Sequence, residues 1–168
     1  LTDRCNLRCT YCMPEEGLAW LPGDQLLSAQ ELVRVISLAV DEGVTEVRFT
    51  GGEPLLRKDL VEIVAGVSEL DRPPSISLTT NGIGLAARAQ DLRDAGLRRI
   101  NISLDTLKAD RFKAITRWGD FGQVMAGIEA AEKAGLAIKL NAVALKVSTR
   151  TSSTISSPSR TAAALTSP

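Results

Sequence analysis

The sequence predicts an α/β fold built on a parallel sheet, and two patterns lead to that prediction. Short strands rich in Val, Ile and Leu alternate with amphipathic helices along residues 28–145, which is the order of repeated βα units. Gly43, Gly96 and Gly135 each follow a predicted helix, in the position where helices commonly end on glycine. We therefore expect crossover helices that connect parallel strands, as in an incomplete barrel.

Each element has its own signal. Residues 1–3 are interpreted as the end of a strand that leads into a cysteine-rich loop. Ser28 and Glu31 have the spacing of a capping box, so a helix begins there and ends near Gly43. Further strands are predicted over residues 44–50, 75–80, 98–104 and 137–145, and further helices over about 57–70, 84–95 and 121–134.

Polar segments follow the predicted strands. They are the cysteine-rich loop, GGEP (51–54), TTNG (79–82) and SLDT (103–106). Because the carboxyl ends of parallel strands meet at one rim of a βα fold, and active sites form there, we expect these segments to surround one site.

Two of the strands carry polar residues at every second position. Asn101 and Ser103 share one face of their strand, as do Lys139 and Asn141 of theirs. This pattern predicts a polar barrel interior near its mouth. The alternative is that these strands lie at an exposed edge of the sheet.

Composition limits the possible functions. The chain has 168 residues, a formal net charge of zero and 44% hydrophobic residues, which suits one globular domain with a core. Charge balance gives no reason to expect nucleic acid or an anionic membrane as a partner, and no apolar run is long enough to span a bilayer. Three clustered cysteines make a poor disulfide framework, so we expect a reducing cytoplasm.

All three cysteines lie within eight residues, as Cys5-x3-Cys9-x2-Cys12, and the chain has no histidine. Three thiolates from one loop could hold an iron–sulfur cluster that keeps one iron open for a ligand. A zinc site would need a carboxylate or a second chain as its fourth ligand. A third possibility is that the three cysteines are buried free thiols that bind no metal.

The segments CNLRCTYC (5–12) and GGEP resemble the two signature motifs of the radical S-adenosylmethionine (SAM) superfamily. The resemblance implies a [4Fe–4S] cluster on Cys5, Cys9 and Cys12, SAM bound at the open iron, and chemistry through a 5′-deoxyadenosyl radical. It also implies a (βα)6 TIM-like barrel, of which this chain would supply about five strands within residues 1–146.

Longer segments resemble one family within it, the GTP 3′,8-cyclases of molybdenum cofactor biosynthesis. The segments are LTDRCNLRCTYCMP, EVRFTGGEPLLRKDL, LTTNGIGL, GLRRINISLDTL and FKAITR, spread in order over residues 1 to 146. The resemblance implies conversion of GTP to (8S)-3′,8-cyclo-7,8-dihydroguanosine 5′-triphosphate. It also implies a reductant such as flavodoxin or ferredoxin, and cyclic pyranopterin monophosphate synthase as the next enzyme.

Site residues follow from the same resemblance, position by position. The positions that match SAM contacts are Tyr11, Gly51, Gly52, Glu53 and Ser103. The positions that match GTP contacts are Arg48, Thr79 and Lys139, whose two cations suit a triphosphate. No side chain is assigned as a protein acid or base.

The sequence departs from this family in one important respect. Members of the family carry three further cysteines, which hold a second cluster that binds the guanine of GTP. In this chain, no cysteine follows Cys12. We therefore expect that this chain alone does not complete the cyclisation. The alternatives are another radical SAM enzyme, such as one that modifies peptides, and a non-catalytic iron–sulfur or zinc-binding domain.

Residues 147–168 lack hydrophobic periodicity and are rich in Ser and Thr, so they are predicted to be disordered. Members of the family commonly continue at this point with a sequence such as Lys-Gly-Val-Asn-Glu-Asp-Glu-Phe-Asp. When one guanine is deleted from a plausible DNA sequence that encodes this peptide, the shifted reading frame encodes residues 146–154 of the present chain. We interpret this segment as an out-of-frame reading.

Overall fold

The computed structural model describes residues 1–144, which form one four-stranded sheet and five α-helices. The strands are β1 (Glu46–Phe49), β2 (Ser75–Thr80), β3 (Arg99–Ser103) and β4 (Ala137–Asn141). The helices are α1 (Ala29–Asp41), α2 (Leu60–Ser68), α3 (Ala89–Asp94), α4 (Ala109–Thr116) and α5 (Phe121–Lys133). The end of the strand predicted to reach residue 145, and the interpretation of residues 147–168, lie outside the described residues.

All neighbouring strands are parallel, in the order β1-β2-β3-β4, so each strand pairs with the next along the chain. The predicted parallel α/β architecture is confirmed. Sequential parallel strands joined by helices are the repeat from which a βα barrel is built.

The two faces of the sheet differ completely in polarity. The face covered by helices carries apolar side chains, including Phe49, Leu78, Ile100 and Ile102, each at most 4% exposed. The opposite face, here called the polar face, carries the alternate residues. These are Glu46, Arg48, Ser75, Ser77, Thr79, Arg99, Asn101, Ser103, Ala137, Lys139 and Asn141. The alternation seen in β3 and β4 therefore continues across all four strands, and β4 is an edge strand of the described sheet.

The helices pack on the apolar face as their spacing predicts. Leu60, Ile63, Val64 and Val67 of α2 are fully buried. The capping box that opens α1 is confirmed, because Ser28 Oγ accepts from the Glu31 amide at 3.3 Å and the Glu31 carboxylate accepts from the Ser28 amide at 2.8 Å. Within residues 1–144, no helix is both long and apolar enough to cross a membrane.

Three details of the prediction were wrong. Residues 1–3 are not a strand: the Leu1 amine donates to Thr50 O, and the Gly52 amide donates to Thr2 O, without a continuous ladder. The described part therefore has four strands where about five were expected. Helix α4 was not predicted. Strand β1 lacks the predicted residues 44, 45 and 50, and β4 lacks the predicted residues 142–144.

Candidate functional site

The cysteine loop, residues 5–13, lies at the rim formed by the carboxyl ends of the strands. Its second half is a tight turn, in which the amides of Cys12 and Met13 both donate to Cys9 O, at 2.9 and 3.0 Å. The thiols of Cys5 and Cys9 are half-buried and that of Cys12 is exposed, and no disulfide joins them. A loop folded in this way presents three sulfur atoms on one short segment.

The end of helix α4 holds this loop in place. The Arg8 amide donates to Thr116 O at 3.1 Å, and the Thr10 amide donates to Ile115 O at 2.9 Å. Arg117 has a positive φ of 62°, and its Nη1 donates to Arg8 O and Met13 O. The segment FKAITR thus ends helix α4 and supports the cysteine loop. The helical spacing of Phe112 and Ile115, three residues apart, is the feature of the sequence that could have predicted this helix.

Arg8 lies inside the loop and is almost wholly buried, at 7% exposure. Its guanidinium carbon lies 4.4 Å from the ring centre of Trp118 and 5.4 Å from that of Trp20. Its Nη1 donates to Cys5 O and Leu7 O at 2.9 and 2.8 Å. These two hydrogen bonds hold the backbone between Cys5 and Cys9, and the two indole rings stabilise the desolvated cation that donates them.

Gly51 and Gly52 pack directly against the chain that leads into the cysteine loop. The amides of Gly52 and Glu53 donate to Thr2 O and Arg4 O, both at 2.7 Å. A Cβ on Gly52 would collide with backbone oxygens of residues 3 and 4. Glycine is therefore required here by close backbone approach.

Glu53 is 1% exposed, and its carboxylate is fully engaged by the protein. It accepts hydrogen bonds from the Leu55 amide, the Thr80 hydroxyl and the Asn81 amide, at 2.9, 2.7 and 2.7 Å. Burial raises the pKa of this carboxyl, although the three hydrogen bonds oppose the rise. Glu53 joins the GGEP turn to the end of β2, and Asn81 continues the connection to Asn6 at 2.7 Å.

Tyr11 of the cysteine loop lies beside Asp105, two residues after Ser103. The Tyr11 hydroxyl donates to Asp105 Oδ2 at 2.6 Å, and Asp105 Oδ1 accepts from the Val143 amide at 2.8 Å. Burial, together with the hydrogen bond to Asp105, raises the pKa of Tyr11. Ser103, the last residue of β3, is exposed. Asp105 therefore connects the cysteine loop to the ends of β3 and β4, a role that sequence reasoning missed although SLDT was placed at the rim.

The three predicted GTP-contact residues lie together on the polar face. Thr79 and Lys139 lie in one row across the sheet, with Asn101 between them, and Arg48 lies one row deeper. Arg48 is exposed, and Thr79 and Lys139 are half-buried. Among residues 1–144, no carboxylate lies within ion-pair distance of Arg48 or Lys139.

The electrostatics of the thiols agree with a shared site. Burial raises the pKa of Cys5, and burial followed by the neighbouring Cys5 raises that of Cys9 to about 11. Because burial favours the neutral thiols of Cys5 and Cys9, a bound cation would be needed to hold these two as thiolates. Among residues 1–144, no three Cys, Asp or Glu side chains meet closely enough to hold a single metal ion. Three sulfur donors without histidine suit an iron–sulfur cluster, whose cysteines bind separate irons.

Residues 1–151 match the radical SAM superfamily. The chain belongs to this superfamily. Its members use a [4Fe–4S] cluster and SAM, and Cys5, Cys9 and Cys12 of this radical SAM chain are three sulfur donors that could hold such a cluster.

Within the radical SAM superfamily, the chain is similar in sequence to proteins named GTP 3′,8-cyclase. The GTP 3′,8-cyclase of Mycobacterium sp. (strain KMS) is 58% identical over 145 residues, which is 85% of this chain and 41% of that protein. The GTP 3′,8-cyclase of Listeria monocytogenes serotype 4b (strain CLIP80459) is 57% identical over 147 residues, which is 87% of this chain and 44% of that protein. The radical SAM chain thus spans less than half the length of these relatives.

Solved structures agree on the fold. The crystal structure of Streptococcus suis SuiB bound to S-adenosylmethionine superposes with a TM-score of 0.67 at 20% identity, over 83% of this radical SAM chain and 30% of that protein. At this level of identity the likeness concerns architecture alone.

Proposed function

We propose that this chain is the SAM-binding part of a GTP 3′,8-cyclase, an enzyme that converts GTP to (8S)-3′,8-cyclo-7,8-dihydroguanosine 5′-triphosphate. The observation that carries the proposal is the polar face, where Arg48, Thr79 and Lys139 lie within adjacent rows beside the cysteine loop. Its support is the identity of about three residues in five to the cyclases of Mycobacterium and Listeria.

The cluster and SAM, when bound, supply one-electron chemistry at the rim. Cys5, Cys9 and Cys12 hold the cluster, and Gly51, Gly52, Tyr11 and Ser103 surround the SAM position. Glu53 belongs to the same SAM position through its backbone, because its carboxylate is occupied by three internal hydrogen bonds. We assign it to positioning the GGEP turn on which SAM rests.

The polar face binds the substrate. Arg48 and Lys139 supply positive charge for the triphosphate, and Thr79 supplies a hydroxyl that can donate to a phosphate or ribose oxygen. Arg48 and Lys139 make no ion pair with any carboxylate among the described residues. No ion pair therefore has to break when the triphosphate binds to them, which favours its binding. A reductant such as flavodoxin or ferredoxin delivers the electron, and cyclic pyranopterin monophosphate synthase uses the product.

The proposal has two separable parts, each with a test. After anaerobic reconstitution, the chain should contain iron and sulfide near four of each, and SAM should change the electron paramagnetic resonance spectrum of the reduced cluster. The triple variant Cys5→Ala, Cys9→Ala, Cys12→Ala is the matched control and should hold no cluster. Zinc alone, without iron or sulfide, would contradict the radical SAM assignment of these cysteines.

The second part concerns the substrate. The reconstituted chain should bind GTP more tightly than guanosine, and SAM cleavage after reduction should be stimulated by GTP over a mixture of peptides. Arg48→Gln should weaken GTP binding and leave SAM binding unchanged. Equal affinity for GTP and guanosine would contradict the cyclase proposal while leaving the cluster assignment in place.

A further inference from the structure

Arg99 is the one cation of the polar face that the proposed function does not use. It opens β3, and its register partners are Ser77 on one side and Ala137 on the other. Arg48 lies in the same row, beyond Ser77. Two strand spacings of about 4.8 Å separate the Cα atoms of Arg48 and Arg99 by about 10 Å.

Arg99 is half-buried, and one nitrogen of its side chain is buried without a partner. Its Nε is buried and makes no hydrogen bond to any of residues 1–144. No carboxylate in the same range lies within ion-pair distance of its guanidinium. Buried polar groups are nearly always hydrogen-bonded, so this nitrogen is available to a ligand that the described residues do not supply.

The surroundings of Arg99 narrow the chemistry of that ligand. Ser77 and Ala137 flank it, and neither side chain is charged. Glu46, the one carboxylate on the polar face, lies one row deeper and two strands away, beside Ser75. With Arg48 and Lys139, the polar face has three cations against one carboxylate. An arginine fork in such surroundings is suited to a planar or tetrahedral oxyanion.

We infer that Arg99 binds the triphosphate of the nucleotide from the floor of the polar face, opposite Arg48, so that the two guanidinium groups hold the phosphates from both sides. This inference rests on the proposed function and adds a binding residue to it. It assigns Arg99 to affinity for the phosphates and gives it no contact with the guanine base.

The test measures binding of GTP, GDP and guanosine to the anaerobically reconstituted chain by calorimetry. Arg99→Gln should weaken GTP binding about tenfold or more, because a charge-assisted hydrogen bond to phosphate is lost. Guanosine binding should not change. The matched control is Arg98→Gln, which makes the same change of charge at the neighbouring exposed position outside the strand.

Each outcome separates this inference from the proposed function. If Arg48→Gln weakens GTP binding and Arg99→Gln does not, Arg99 has no role and the substrate site stands. If the unmodified chain binds GTP no better than guanosine, both proposals are overturned. If Arg99→Gln does not fold, GTP binding is measured on Arg99→Lys, which keeps the positive charge and loses the two-pronged guanidinium. Weaker GTP binding by this variant supports the inference, and unchanged GTP binding overturns it.

Discussion

The hydroxyl of Tyr11 donates a hydrogen bond of 2.6 Å to Oδ2 of Asp105 across 94 positions of the sequence. Because Asp105 also accepts from the Val143 amide, one carboxylate joins the cysteine loop to the chain that follows β4. The cysteine loop is therefore attached to the ends of the two strands that carry Ser103 and Lys139.

Tyr11→Phe should loosen the cysteine loop without unfolding the chain. Tyr11 is 46% exposed, so we expect a loss of only about 1 kcal/mol in the free energy of unfolding. Hydrogen–deuterium exchange should show faster exchange in residues 9–13 and 143–144, while the core of β2 keeps its protection. Unchanged exchange at both segments would show that this hydrogen bond does not couple them.

Gly52→Ala should be strongly destabilising. The added Cβ would collide with the backbone oxygens of Asp3 and Arg4, which cannot move without breaking the bonds from the Gly52 and Glu53 amides. Overpacking of this kind costs about 1–3 kcal/mol. Gly23→Ala is the matched control, because no atom lies within 4 Å of a Cβ built there. Denaturant unfolding compares the two, and equal stability would argue against the close approach.

Replacing Glu53 by alanine should lower the free energy of unfolding more than replacing it by glutamine, which removes only the charge. Glu53→Ala leaves the Thr80 hydroxyl and the Leu55 and Asn81 amides without their acceptor and opens a cavity, for a loss of about 3 kcal/mol or more. Glu53→Gln keeps one acceptor oxygen and removes a buried charge, so we expect a loss of about 1 kcal/mol. The order of the two unfolding free energies is the measurement, and the reverse order would contradict the role of the carboxylate.

Trp118 should stabilise the cysteine loop through the buried guanidinium of Arg8. Trp118→Ala removes the ring that lies 4.4 Å from the guanidinium carbon and should cost about 1–2 kcal/mol. Trp118→Phe is the control, since it keeps an aromatic face of weaker quadrupole and should lose less. Thermal melts of the three proteins test this, and two variants as stable as the parent chain would show that the contact contributes nothing.

Stability should fall in acid partly through Asp59. The hydrogen bond from Arg57 lowers the pKa of this carboxyl below its usual range in the folded state. Its contribution is therefore present above the unfolded pKa of about 3.9 and disappears as the pH falls through the lower folded value. The difference in unfolding free energy between the parent chain and Asp59→Asn should be positive at pH 7 and shrink below pH 4.

The control for this pH dependence is Asp24→Asn. Asp24 is exposed and makes no ion pair among residues 1–144. The difference between the parent chain and this variant should stay near zero across the same range. A constant difference for Asp59→Asn would mean that its effect does not depend on ionisation.

Local pattern was sufficient for much of the fold. The capping box of Ser28 and Glu31 and the alternation of apolar and polar residues in β2 and β3 were readable because each depends on neighbours a few residues away. Helix α4 was missed because its first turn has no side-chain cap and it buries only Phe112, Ile115 and Thr116. Its position is fixed by contact with the cysteine loop, more than 100 residues earlier in the chain.

By itself, the sequence determined the superfamily, the spacing of the three cysteines and the parallel βα order, because spacing within a loop and period within a strand are local properties. Only the tertiary structure decided what the other side chains do. It buried Glu53 as an internal acceptor, joined Tyr11 to Asp105 and left Arg99 Nε without a hydrogen-bond partner among residues 1–144. The physical reason is that hydrogen bonds and ion pairs form between atoms that are close in space, and strand register brings together residues that the chain separates.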